Sequence, residues 1–199
     1  YELKLMQIAA DISANAFNKT AKKIKPGMAE YQIQANLEYH YKFNGSSDNA
    51  YPAIVASGNH ANILHYEIKN DTLKAGDLIL IDSGAEYDYY CSDSTRTYPR
   101  NVKFSKEQKE VYEIVLDANK QCIKKAKEGV KFDDLKNFCN KALTDGMVAK
   151  GILKNRKVYK KYTIHGVGHH IGLDTHDAVP YIINKELEDK LVVGDVITI

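Results

Sequence analysis

"KAGDLILID" (Lys74–Asp82) and "VVGDVITI" (Val192–Ile199) are two copies of one pattern. In each, a Gly-Asp pair (Gly76-Asp77, Gly194-Asp195) precedes a run of apolar, β-prone side chains, as expected of a turn feeding a strand. Ile81 aligns with Ile199, so the position after Ile199 is the counterpart of Asp82. A second echo lies upstream of each copy. "IKPGMAEYQI" (Ile24–Ile33) and "AKEGVKFDDL" (Ala126–Leu135) share a helix–Gly–helix layout. Two matches in the same order predict a duplicated domain whose halves run helix, turn, helix, strands, with approximate two-fold symmetry.

The periodicity supports that order. Leu5, Ile8, Ile12, Ala16 and Ile24 recur at helical spacing, predicting a helix to about Lys23 that Pro26-Gly27 breaks. Ile33, Leu37 and Tyr41 share one face of a second helix, stopped at Asn44-Gly45. Short β-prone stretches follow: "AIVAS", "LILIDSG" and "STRTYP". A third helix starts at Ser105, where Gln108 completes a capping box, carries Val111, Ile114, Val115, Ala118 and Cys122, and is predicted to end at Gly129. A fourth carries Leu135, Phe138, Ala142 and Leu143, and the tail returns to strands. The fold class expected is α+β.

Composition excludes several partners. The 199 residues are 44% apolar with a net charge of +2, which favours neither nucleic acid nor an anionic membrane. Lysines cluster at Lys22, Lys23 and Lys25 and again at Lys154–Lys161, where Tyr159 is the one aromatic residue, and both runs read as solvated surface. No apolar run approaches the roughly 20 residues of a membrane span. Cys91, Cys122 and Cys139 form no CxxC pair, so a reducing, cytoplasmic compartment is expected. The chain starts at Tyr1 inside a helical pattern and stops inside a strand-like run, as a fragment of a longer chain does.

Two constellations carry chemistry. In "LILIDSGAEYDYYCSDSTRTYP" (78–99), Asp82 ends an apolar strand, where a carboxylate is unfavourable unless paired or metal-bound. A hairpin turning at Tyr87-Asp88 makes Asp82 and Asp93 cross-strand partners, and two facing carboxylates repel unless a cation or a proton lies between them. The alternative remains open: Asp82 caps the Ser83-Gly84 turn, Asp93 pairs with Arg96, and Asp88 is turn chemistry. "HGVGHHIGLDTHD" (165–177) holds four histidines. Gly166 and Gly168 argue against a helix and for an extended strand, in which His165 and His169 share a face and His170 points away. The glycines permit close backbone approach, "GLD" predicts a bend before His176, and Asp177 is placed to orient a ring. His65, in "NHANILHY", is a third candidate; His60 and His40 receive no role.

Asp82, Asp93 and His169 in this order, with His65 before them and His176 after, resemble the dinuclear metallopeptidases of the aminopeptidase P and prolidase family. Their pita-bread fold is shared with methionine aminopeptidase and creatinase. The resemblance covers residues 1–199, read as one catalytic domain, and "SDSTRTYP" favours aminopeptidase P. It implies that Asp82, Asp93 and His169 are metal ligands with Asp93 bridging two ions. His65 and His176 are then catalytic, and His165 lies by the substrate. The implied cofactor is a pair of divalent ions, manganese first, zinc or cobalt as alternatives. The implied reaction is attack of a metal-activated hydroxide on a peptide whose second residue is proline, releasing the first residue. Prolidase and a non-catalytic peptide-binding module are the alternatives. The family pattern has two further glutamates, the first immediately after the position of Ile199. Without them, weak metal binding and little activity are expected. It also has an N-terminal domain that helps close the site and build homo-oligomers.

Overall fold

The computed structural model describes residues 1–99, 103–157, 162–163, 165–178 and 190–199. The chain divides into two compact units. The first comprises Tyr1–Phe104 with Ile171–Asp177; the second comprises Ser105–His170 with Ala178–Ile199.

In the first unit, helices α1 (Glu2–Ala21) and α2 (Glu30–Phe43) pack on two three-stranded sheets. Leu5, Ile12 and Ala16 are buried as the spacing requires, but Ile8 lies at the edge of the stripe, 38% exposed. Ile33, Leu37 and Tyr41 of α2 are fully buried. Each such aliphatic side chain contributes about 1.5–3 kcal/mol on burial. They meet Ile79 and Ile81, whose strand alternates sides with a period of two.

The strands are β1 (Asp48–Asn49), β2 (Ile54–Ser57), β3 (Leu78–Ser83), β4 (Ala85–Tyr87), β5 (Tyr90–Cys91) and β6 (Ser94–Pro99). They pair antiparallel in the orders β1-β4-β5 and β2-β3-β6. The hairpin turns at Asp88-Tyr89, where both residues have positive φ (49° and 71°). Two left-handed residues between paired strands make a type I′ turn, whose twist matches the flanking strands. The expected turn at Tyr87-Asp88 is therefore one residue early. Asp82 faces Thr95 on β6 and Ile54 on β2, not Asp93.

The second unit contains α3 (Lys106–Lys125) and α4 (Phe132–Ala149). The capping box at Ser105 is present: Gln108 N donates to Ser105 Oγ (3.2 Å), and Ser105 N donates to Gln108 Oε1 (2.9 Å). Helix α3 stops at Lys125, earlier than expected, because Ala126 is already extended. Gly129 (φ 80°) instead serves the turn into α4. Ile114, Ala118 and Cys122 are buried, whereas Val111 and Val115 are about half exposed, so the apolar stripe is narrower than the sequence implied.

The duplication recurs as hydrogen bonds. Gly27 N donates to Leu73 O (3.2 Å) and Leu73 N to Met28 O (2.9 Å). Gly129 N donates to Leu191 O (2.8 Å) and Leu191 N to Val130 O (2.9 Å). Bridges Ala29–Thr72 and Lys131–Lys190 stand at matching places. Asp77 Oδ2 accepts from Lys74 N (3.0 Å), and Asp195 Oδ2 from Val192 N (2.8 Å).

The expected strand through His165–His169 is not formed. This stretch bends, and only His170 makes a bridge, to Ile197. Gly168 explains the crowding: a Cβ there would lie 2.0 Å from Thr198 O, while at Gly166 it would meet nothing within 4 Å. Among the described residues no helix is long and apolar enough to cross a membrane.

Candidate functional site

Asp82 sits on the central strand of its sheet, and Asp93 on the short link between β5 and β6. What brings them together is a backbone crossing. A Cβ at Gly84 would lie 1.7 Å from Ser92 O, so no other residue lets the two arms of the hairpin pass this closely. Buried Ser13 of α1 and Ser92 pin the crossing. Their hydroxyls are 2.8 Å apart, and both accept from Ala85 N (2.9 and 3.0 Å).

The two carboxylates converge on Tyr51. Its hydroxyl lies 2.6 Å from Asp82 Oδ1 and 2.8 Å from Asp93 Oδ1. A phenol has one proton to donate, so it satisfies one of these oxygens at a time. Burial, and then the charges of Asp82 and Asp93, push the Tyr51 pKa far above the ordinary tyrosine range, which keeps it a donor. A half-buried pair of carboxylates around one hydroxyl is an oxygen donor set suited to a hard or borderline divalent cation. The correction in register did not separate them, because a shift of two positions keeps a side chain on its face.

His65 follows exposed Ile63 and Leu64 and adopts the left-handed conformation (φ 53°), uncommon for a residue with a Cβ. His176 lies in the expected bend. That segment is tied to the hairpin by Cys91 N donating to Gly172 O (2.9 Å), and to the residue before Tyr51 by Thr175 Oγ1 donating to Ala50 O (3.0 Å). The neighbour of His176 thus bonds the neighbour of Tyr51.

His165 and His169 belong to the second unit. His165 Nδ1 contacts Gly166 O (2.8 Å), and His169 Nδ1 contacts His170 O (2.9 Å). A carbonyl only accepts, so Nδ1 of His169 carries the hydrogen in this contact. Its backbone is held by Thr198 N donating to His169 O (2.8 Å). Among the described residues, no group of three or more His, Cys, Asp or Glu side chains is gathered as a metal cage. Two residues escaped the sequence reading: Tyr51, one of 14 tyrosines, and Glu30, a buried carboxylate on α2.

The pattern of metallopeptidase family M24 matches residues 4–199, and the chain belongs to that family. It is 36% identical to the Xaa-Pro aminopeptidase of Haemophilus influenzae over 205 residues, covering all of this chain and 47% of that one. It is 35% identical to the mitochondrial intermediate cleaving peptidase 55 of Arabidopsis thaliana, covering 96% of this chain and 39% of that one. Among solved structures it resembles aminopeptidase PepP of Pseudomonas aeruginosa, with a TM-score of 0.92 and 37% identity over 98% of this chain and 46% of that one. The α+β fold is that of aminopeptidase P, the pita-bread fold. The chain spans less than half the length of these three proteins.

Proposed function

We propose that residues 1–199 are part of the catalytic domain of a metal-dependent aminopeptidase that removes the first residue from peptides with proline in second place. The observation that carries this reading is the convergence of Asp82 and Asp93 on the Tyr51 hydroxyl. A purely structural pair of carboxylates so close is unfavourable, whereas two carboxylates and one imidazole form an ordinary first set of ligands for a divalent metal. Asp82, Asp93 and His169 hold the metal, a manganese pair in this reading, with zinc or cobalt as substitutes. When bound, the metal lowers the pKa of the attacking water and polarises the scissile carbonyl.

The chain's own groups supply the hydrogen-bond donors around the reacting atoms. Tyr51 stands between the carboxylates and donates to one or the other. His65 donates to the oxygen that gains negative charge, and His176 delivers a proton to the leaving proline nitrogen. His165 lines the substrate side. We place the protein in the cytoplasm, consistent with the unpaired thiols of Cys91, Cys122 and Cys139, and as a homo-oligomer in its natural form.

The test is release of the first residue from an Xaa-Pro-Xaa tripeptide by the natural protein with added manganese. Turnover of tripeptide over dipeptide is expected. Turnover of dipeptide alone would make it a prolidase. Submicromolar peptide binding with no turnover under any divalent metal would make it a binding module.

A further inference from the structure

Glu30 is fully buried on the first turn of α2, a placement unfavourable for a carboxylate unless its oxygens are satisfied. They are. Oε1 accepts from Ser57 N (2.7 Å) and Ser57 Oγ (2.8 Å), with His60 Nδ1 at 3.4 Å. Oε2 accepts from the Tyr66 hydroxyl (3.0 Å) and from Asp71 N (3.2 Å). Each donor flanks the same stretch of chain. Ser57 and His60 precede His65; Tyr66 and Asp71 follow it. Within the stretch Ile63, Leu64 and Ile68 are more than half exposed, so apolar packing does little to hold it. Tyr66 is the buried anchor, and its ring stacks on His60 (centroids 4.4 Å apart).

The second unit shows what the fold itself requires at this place. Ala29 matches Lys131, so Glu30 matches Phe132. Ser57 pairs with Ile79, and Ile79 matches Ile197, which bridges His170. Where the first unit has Glu30 and Ser57, the second therefore has Phe132 and His170, with ring centroids 5.7 Å apart. The same lead-in forms there without a buried charge.

We infer that Glu30 is a positioning residue: its carboxylate clamps both arms of the 57–71 segment and so fixes His65, in its left-handed conformation, as a donor to the oxygen that gains negative charge. This rests on the role proposed above for His65. Tyr66 transmits the hold to the adjacent residue.

The test uses the natural protein with the variants Glu30→Gln, Tyr66→Phe and His65→Ala. Tyr66→Phe removes one hydrogen bond and keeps the ring, so it carries the test if Glu30→Gln does not fold. Glu30→Gln and Tyr66→Phe should each lower kcat by about tenfold or more, with KM changed by no more than about twofold. Amide exchange at residues 62–66 should accelerate by about tenfold. In the His65→Ala background, Glu30→Gln or Tyr66→Phe should lower kcat by less than about twofold, because a residue acting through another has nothing left to act on. An equal loss with and without His65, or unchanged amide exchange, would overturn the clamp while leaving His65 catalytic. Wild-type turnover in His65→Ala would instead remove the role of His65 on which the clamp depends.

Discussion

The two units solve one folding problem with the same local chemistry and then diverge. In both, a left-handed glycine (Gly27, Gly129) leads into the second helix, a buried leucine (Leu73, Leu191) exchanges hydrogen bonds with that glycine and the residue after it, and an aspartate (Asp77, Asp195) closes a turn. The divergence lies beside this frame. The first unit buries a carboxylate, Glu30, beside Ser57; the second places rings, Phe132 and His170, at the matching positions. Shared features are those that backbone geometry demands. Features present once are those for which the fold gives no reason, and there chemistry is to be sought.

The largest effect is expected at the hairpin of the first unit. Asp82→Asn and Asp93→Asn should each lower peptide turnover by about a thousandfold or more, roughly 4 kcal/mol of barrier, since each removes a proposed ligand. Turnover within tenfold of wild type would remove the carboxylate pair from the reaction. Next comes the crossing glycine. Gly84→Ala should destabilise the fold by about 3 kcal/mol or more, read by denaturant midpoint, because its Cβ meets a carbonyl at 1.7 Å. Gly168→Ala should behave similarly, and Gly166→Ala, which meets nothing within 4 Å, should not.

A third pair sharpens the likeness. Asp77→Ala and Asp195→Ala each remove one side-chain acceptor of a turn N–H, and each should reduce stability by about 1 kcal/mol. Unequal losses would mean that the two turns are not energetic counterparts. The smallest effect concerns His40, buried on α2 with neither ring nitrogen partnered among the described residues. Burial, and then Lys23 and Lys19, lower its pKa below the ordinary 6.5. The fold therefore favours the neutral ring. Its contribution is complete above about pH 6.5, where the unfolded ring is also neutral, and declines as pH falls toward the lowered folded value. His40→Leu should flatten the fall in melting temperature between about pH 7 and pH 5; an unchanged slope would assign that fall to other groups.

The duplication was legible because it is written in local turn chemistry, Gly-Asp before an apolar run, which short segments specify by themselves. Helix starts such as Ser105 were legible for the same reason. The hairpin register was not: Asp88 and Tyr89 both take positive φ without the Asn-Gly or Asp-Gly pair that marks such turns. The cross-strand pairing of Asp82 with Asp93 failed with it, but their convergence on Tyr51 did not, because it depends on side-chain face more than on register. The histidine stretch read as a strand, yet close approach of Gly168 to Thr198 bends it. Tyr51 and Glu30 were invisible, since their partners lie 27 to 42 residues away and no periodicity connects them. Lys22, Lys23 and Lys25 are exposed, as expected, and Lys19, Lys22 and Lys23 line an open depression of about 410 Å³ with Tyr39 and Phe43 of α2. A linear reading could not bring those rings beside them.

The first unit is discontinuous, since Ile171–Asp177 returns to it after the whole of α3 and α4. During translation, at about 5–20 residues per second, its earlier part therefore waits several seconds for the strip that bonds Cys91 and Ala50. Until the ribosome has released Asp177, the hairpin bearing Asp82 and Asp93 lacks those two ties, and the nascent chain holds its carboxylates beside an unfinished edge.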